Sequence, residues 1–172
     1  MRIALLSNPS SGRGRHAAAD DVARRLLTEA GHEVLHVRGS SYEQARRAGR
    51  ALLGDGPNRN VEALVVVGGD GMVHLGVDIV ATTGVPLGIV ATGTGNDIAR
   101  HFGLPSRDAA ASARLINQAL SGEGAITAVD AIYASRPDGT LLAPQRRWSL
   151  AVVSAGVDAA VNARANTLSW PA

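Results

Sequence analysis

The sequence predicts an α/β fold with a doubly wound, mostly parallel sheet, followed by the start of an antiparallel β domain. Three observations carry this expectation. Short apolar runs that end in glycine-rich turns recur over the first hundred residues, and a stretch with helical periodicity follows each. One run, Ala63 to Val67, is apolar without a break, as in strands covered on both faces by helices. Beyond Gly124 the spacing changes from crossovers to hairpins.

Element by element, Ile3 to Ser7 reads as a strand, closed by the turn Asn8-Pro9-Ser10-Ser11-Gly12-Arg13-Gly14. A helix runs from about His16 to Ala30, with Ala19, Val22, Ala23, Leu26, Leu27 and Ala30 on one face. Asp20/Arg24 and Asp21/Arg25 stand four apart with the acid first, the favourable order for an ion pair. Gly31 stops this helix, and Glu33 to Val37 is a second strand. Ser40 or Ser41 caps a helix that ends near Leu53. Ala63 to Val67 is the third strand, Val73 to Ala81 a helix, Leu87 to Val90 the fourth strand and Asp108 to Leu120 a further helix. Ile126 to Ser135 and Arg147 to Ala155 read as strands, with Arg136-Pro137-Asp138-Gly139 as a hairpin turn. The expected division is residues 1–124 and 125–172, the second part having too few strands to close a sheet.

Composition narrows the chemistry. With 45% hydrophobic and 19% charged residues, the chain is globular in type rather than disordered. All 17 basic residues are Arg. The absence of Lys excludes a Walker-type P-loop and Schiff-base chemistry, so a phosphate must be held by backbone N–H groups, Arg or a metal. No Cys is present, which excludes disulfides, thiolate catalysis and Cys-ligated zinc. The five His have no metal-site spacing, and a net charge of +2 does not point to nucleic acid. The apolar start ends at Ser7-Asn8-Pro9, far short of a signal or spanning segment, so a cytoplasmic location is expected.

Three turns concentrate the chemistry, each after an expected parallel strand: Asn8 to Gly14, Gly68-Gly69-Asp70-Gly71 and Gly93-Thr94-Gly95-Asn96-Asp97. In an open α/β sheet, ligands bind outside the carboxyl ends of the strands, so all three are expected on one edge. Glycines let the backbone approach a phosphate, and the helix start behind each turn offers unpaired N–H donors. Hydrogen bonds to a charged group contribute roughly 1.5–3 kcal/mol each, so a handful holds a nucleotide without Lys. Asp70 and Asp97 add carboxylates suited to proton transfer or metal binding. For Asp97, a helix cap is the plainer alternative; for Asp130, an interdomain salt bridge.

The combination Asn8-Pro9-x-Ser11-Gly12, Gly68-Gly69-Asp70-Gly71 and Gly93-Thr94-Gly95-Asn96-Asp97-x-Ala99-Arg100 resembles the diacylglycerol kinase catalytic family, which includes bacterial lipid kinases and the sphingosine and ceramide kinases. The resemblance continues through Gly103-Leu104-Pro105 and Asp130 to Gly156-Val157-Asp158. It implies an α/β domain followed by a β-sandwich, with a lipid pocket between them. It also implies transfer of the γ-phosphoryl group of ATP, with Mg²⁺, to a lipid hydroxyl of the diacylglycerol or sphingoid type. Asn8, Pro9, Ser11, Gly12, Gly68, Gly69, Asp70, Gly71, Met72, Gly93, Thr94, Gly95 and Asn96 would then contact nucleotide. Asp97 and Asp130 would organise magnesium, and Asp70 would activate the acceptor hydroxyl. Membrane contact would be peripheral, at the inner face, and a second chain would complete the fold.

Two departures from the family pattern stand beside the second turn. Met72 replaces the usual Thr, and Val73-His74-Leu75 replaces Asn or His followed by Glu. Leu75, together with the end of the sequence at Ala172, favours as the alternative a catalytically dead nucleotide-binding or regulatory module. Gly12-Arg13-Gly14-Arg15-His16-Ala17, with Arg38 for a 2′-phosphate, also matches an NADP-dependent enzyme, and an NAD kinase-like enzyme shares the Gly-Gly-Asp-Gly turn.

Overall fold

The structure is a computed structural model. It describes residues 1–7, 15–38, 41–54, 60–136, 138, 148–150, 157, 160 and 164, of which 15, 16 and 38 are described in backbone only. Strands β1 (Arg2–Ser7), β2 (Glu33–Arg38), β3 (Ala63–Gly68) and β4 (Leu87–Ala91) form one sheet in the order β2-β1-β3-β4, with every neighbouring pair parallel. Helices α1 (Arg15–Glu29), α2 (Tyr42–Leu53), α3 (Asp70–Val80), α4 (Asp97–His101) and α5 (Ala109–Ser121) connect or follow them. This is the doubly wound fold that the sequence predicts.

Alternation along the strands divides the core in two. Ile3, Leu5, Ala63, Val65, Val67 and Val90 face one layer with Ala23 and Leu27 of α1 and Ala113 and Ile116 of α5. Ala4, Leu6, Leu64, Val66, Ile89 and Ala91 face the other, with residues of α2, α3 and α4. Because both faces of β3 are covered, its six residues are all buried, which is why no polar residue interrupts it. Each such Val or Leu contributes about 1.5–3 kcal/mol by leaving water. The chain steps from β1 to β2 in one direction and from β1's other side to β3 and β4 in the other. Right-handed crossovers therefore place α1 on one face and α2 and α3 on the opposite face.

The helix starts reflect local chemistry. Ser41 caps α2, its Oγ accepting from Gln44 N at 3.3 Å, and Asp108 caps α5, its Oδ1 accepting from Ala111 N at 2.8 Å. On α2, Arg46 and then Arg47 donate hydrogen bonds to Glu43 and hold its carboxyl below the ordinary carboxylate range. Two expected ion pairs do not form on α1. Asp20 is buried and meets His36 of β2 instead of Arg24, and Asp21 pairs with Arg24 at 3.5 Å, one turn position closer than Arg25. The helix face that receives Asp20 is the one packed on the sheet, so the charge turns inward to a polar partner.

α3 begins at Asp70, three residues before the expected Val73, so Asp70, Gly71 and Met72 form the first helical turn. Past α5, residues 121–130 are all exposed. The strand expected over Ile126 to Ser135 is reduced to β5 (Ile132–Tyr133), paired antiparallel with β6 (Trp148–Ser149). Extended backbone counts as strand only where a neighbour completes the ladder, and among the described residues β6 offers only two rungs. Tyr133 and Trp148 pack ring on ring at 4.9 Å, and Leu150 is buried in the α2–α3 core. Pro137 and Gly139 of the expected hairpin turn, and Ala151 to Ala155 of the expected last strand, lie outside the described residues.

Candidate functional site

Strand register sets the site. Ser7 at the tip of β1 is level with Val67 of β3, and Gly68 at the tip of β3 is level with Ala91 at the tip of β4. The turns that follow these strands therefore leave one edge of the sheet, at its carboxyl ends. The direction of winding reverses between β1 and β3, which is where such sheets form a ligand crevice. Asn8, Pro9, Ser11 and Gly12 of the first turn lie outside the described residues, as do Gly156 and Asp158. The second and third turns are described in full.

These two turns touch through their backbones. A methyl group on Gly93 would lie 2.5 Å from Gly69 Cα and 2.9 Å from Asn96 Oδ1, and one on Gly69 would lie 3.2 Å from Gly93 Cα. At Gly93 only glycine permits this approach, and at Gly69 a methyl would be tighter than ordinary contact. Thr92 N donates to Gly68 O at 2.9 Å, which continues the β3–β4 ladder into the turns. On the other side of the second turn, Met72 packs its Cβ and Cγ against Gly68. Met72 thus fills space against the strand tip where a hydroxyl would have been polar. Gly71, by contrast, is exposed, with nothing within 4 Å of the position a Cβ would occupy.

Asp70 bridges the two turns. Its Oδ1 accepts from Ile98 N at 3.1 Å, so a carboxylate from α3 satisfies an amide at the start of α4. Asn96, the residue before that helix, is left-handed (φ 54°) and makes no side-chain cap. Asp97 is the first helical residue, not the cap, and pairs with Arg100. Its side chain is 75% exposed, so that pair is weak and the carboxylate is accessible. Asp70 Oδ2 and Asp97 Oδ2 both stand beside Gly95, 3.2 and 3.3 Å from where a Cβ there would be. Gly95 keeps the gap beside the two carboxylates open.

The structure thus brings Gly68, Gly69, Asp70, Gly71, Met72, Gly93, Thr94, Gly95, Asn96 and Asp97 to one edge. It does not join Asp130 to them. Asp130 is exposed on the 121–130 segment, and among the described residues it makes no ion pair and completes no cluster of three metal-binding side chains. Asp97, exposed beside Gly95, is a carboxylate that fits Mg²⁺, which binds through one or two carboxylates and takes its remaining ligands from water and phosphate. Leu75 is 1% exposed within the α3 core. The missing carboxylate at that position therefore leaves no gap in the glycine-lined edge. Leu75→Glu is expected to destabilise the fold by about 3–5 kcal/mol, as an uncompensated buried charge does, measured by urea unfolding.

Four residues near the turns escaped the sequence reading. Ser7 Oγ lies 3.0 Å from His36 Nε2, which lies 3.0 Å from Asp20 Oδ2. Both contacts use one ring nitrogen, so this is not a nucleophile relay, which needs opposite nitrogens. The imidazole instead ties the end of β1 to α1, across the two ends of the first turn. Ser106 and Arg107 reach the third turn from the segment after α4: Asn96 Nδ2 donates to Ser106 Oγ at 2.9 Å, and Arg107 Nη2 to Thr94 O at 2.8 Å. A lone Ser or Arg in a loop has no periodicity or spacing to mark it.

Comparison with known proteins agrees with this architecture. The diacylglycerol kinase catalytic domain model matches residues 2–129. Diacylglycerol kinases from two Mycobacterium tuberculosis strains, CDC 1551 / Oshkosh and ATCC 25618 / H37Rv, are each 33% identical over 170 residues, 99% of this chain and 50% of theirs. The chain spans about half the length of these curated relatives. A solved structure of a diacylglycerol kinase from Bacillus anthracis strain Sterne superposes with a TM-score of 0.53 at 26% identity, over 68% of this chain and 39% of that one. A second from the same strain gives 0.57 at 24% identity and the same coverage, a likeness of fold. A match over residues 2–129, which include the whole four-stranded sheet and its helices, identifies the chain as a member of the diacylglycerol kinase catalytic-domain family.

Proposed function

We propose that this chain is the nucleotide-binding part of an ATP- and Mg²⁺-dependent lipid kinase, which transfers the γ-phosphoryl group to a lipid hydroxyl of the diacylglycerol or sphingoid type. The observation that carries the proposal is the contact of Gly69 with Gly93, which sets two amide-rich turns side by side with Asp70 between them. Without Lys, main-chain donors at a crevice are one of the few means of gripping phosphate that remain, beside Arg and a metal. Residues 1–124 would hold the nucleotide, and the segment from residue 125 would begin the acceptor-side domain.

The division of labour within Asp70 supports a role in proton transfer. Oδ1 is occupied by Ile98 N, which fixes the carboxylate, and Oδ2 remains beside the gap at Gly95. In the reaction, the acceptor oxygen forms a bond to the γ-phosphorus while the bond from that phosphorus to the β–γ bridging oxygen breaks. ADP leaves, and Asp70 Oδ2 takes the proton of the acceptor hydroxyl. Asp97 would hold Mg²⁺, which supplies charge neutralisation on the phosphates when bound. No helix among the described residues is long and apolar enough to cross a membrane, and a lipid acceptor would be met by peripheral contact with the inner face.

Calorimetric titration with ATP and Mg²⁺, followed by labelled ATP with mixed lipid vesicles, tests this reading. Binding and labelled lipid are expected. Binding without product would instead favour the inactive regulatory module, and NADPH binding without ATP binding would favour a reductase. Gly71→Ala is the sharper probe. Alanine inside the first turn of α3 is a better helix former by about 0.5–1 kcal/mol, so the melting temperature should hold or rise. Its methyl enters the open space where phosphate is placed, so ATP affinity should fall severalfold. Unchanged affinity would move the phosphates away from this turn.

A further inference from the structure

The segment between α4 and α5 returns to the tip of β4. Ser106 forms a single parallel bridge with Ala91, and Arg107 N donates to Ala91 O at 2.8 Å. This short extension of the sheet sets two side chains against the third turn. Asn96 Nδ2 donates both to Ser106 Oγ and to Gly93 O, each at 2.9 Å, while Arg107 Nη2 donates to Thr94 O at 2.8 Å. Two successive carbonyls of the turn, those of Gly93 and Thr94, are thus pinned by side chains.

Pinning a carbonyl also aims an amide. In a trans peptide, the C=O and the N–H of the same plane point in opposite directions, and no cis peptide is present among the described residues. Fixing Gly93 O sets the direction of Thr94 N–H, and fixing Thr94 O sets that of Gly95 N–H, away from Arg107. Among the described residues neither amide has a protein acceptor. The clamp is also held at a conformational cost. Arg107 (φ 61°) and Asn96 (φ 54°) are two of the three described non-glycine residues in the left-handed region, one in the segment that braces the turn and one in the turn itself. Residues held in sparsely populated backbone regions cluster at functional sites, where the strain serves the geometry.

We infer that Arg107 is a positioning residue, which braces Thr94 O so that the amide of Gly95 joins that of Thr94, aimed through Asn96, as a paired donor to a nucleotide phosphate. The inference rests on the nucleotide reading given above. It assigns a role to the guanidinium through the turn and not through direct charge attraction, and that distinction can be measured.

The test is calorimetric titration of ATP with Mg²⁺ into the wild-type chain, Arg107→Gly and Arg107→Gln, with thermal melting of each. Glycine adopts φ 61° freely, so Arg107→Gly should melt no lower than wild type. Its ATP affinity should nonetheless drop about tenfold, the scale of one lost charge-assisted hydrogen bond. Arg107→Gln keeps an N–H donor without the charge and should recover most of that loss. Wild-type affinity in Arg107→Gly would overturn the inference while leaving nucleotide binding intact. Equal losses in the Gly and Gln variants would also overturn it, because charge and not bracing would be responsible. If the wild-type chain itself binds no ATP, the nucleotide reading fails and takes this inference with it.

Discussion

Asp70→Asn is expected to lower lipid phosphorylation by about 10²–10⁴-fold, the range for loss of a positioned general base, while the fold stays close to wild type. The amide keeps an oxygen where Oδ1 accepts from Ile98 N, so the link between α3 and α4 survives. What disappears is the proton acceptor at Oδ2 and a negative charge beside Asp97. Asp70→Ala removes the link as well. Ile98 is buried, and a buried donor left without an acceptor costs roughly 1–3 kcal/mol. The two variants should therefore have similarly low turnover but different urea midpoints. If Asp70→Asn turns over within about threefold of wild type, Asp70 is a structural cap and the base must be sought elsewhere.

Among the described glycines, Gly93→Ala should be the most damaging substitution of a single hydrogen by a methyl. The new carbon would sit 2.5 Å from Gly69 Cα and 2.9 Å from Asn96 Oδ1. A flexible side chain could swing aside from such a clash, but a backbone carbon two strands' ends away cannot. The second and third turns must part, which breaks the Asn96 contacts and moves Asp70 relative to Ile98. Overpacking of this kind costs about 1–3 kcal/mol, and for a chain of this size each kcal/mol lowers the melting temperature by about 2–4 °C. ATP affinity should fall further than the stability loss alone implies, because the separated turns no longer share one ligand. A Gly93→Ala protein that melts and binds ATP like wild type would show that the two turns do not need their contact.

These two variants probe the same geometry from opposite sides. Asp70→Asn keeps the turns together and removes the chemistry between them; Gly93→Ala keeps the chemistry and separates the turns. Gly95→Ala falls between the two, since its methyl would meet carboxylate oxygens at 3.2 and 3.3 Å, a contact that side chains can relieve by a small shift.

Much of this protein was legible in its sequence because the relevant signals are local. The unbroken apolar run of β3 announced a strand covered on both faces, and helical periodicity marked α1 and α5. Glycine-rich turns after successive strands pointed to one ligand edge before any coordinates, because a parallel sheet puts every carboxyl end on the same side. The start of α3 was misplaced by three residues because Gly71 is a poor helix former by propensity. Tertiary packing of Val73, Leu75 and Ile79 holds the helix through it.

Only the tertiary structure decided which residues meet. That Asp20 turns from the expected Arg24 to His36, that Asp70 caps a helix it does not belong to, and that Arg107 reaches back to Thr94 all join residues distant in the chain or on separate elements. Asp97, for which a helix cap was the plainer alternative, is the first residue of α4, and its accessible carboxylate stands beside Gly95, as that of Asp70 does. The sequence determined the period of each element and the positions where backbone is free to approach. The distances between the second and third turns depend on strand register, and register is set by the whole sheet closing over two cores rather than by any one segment.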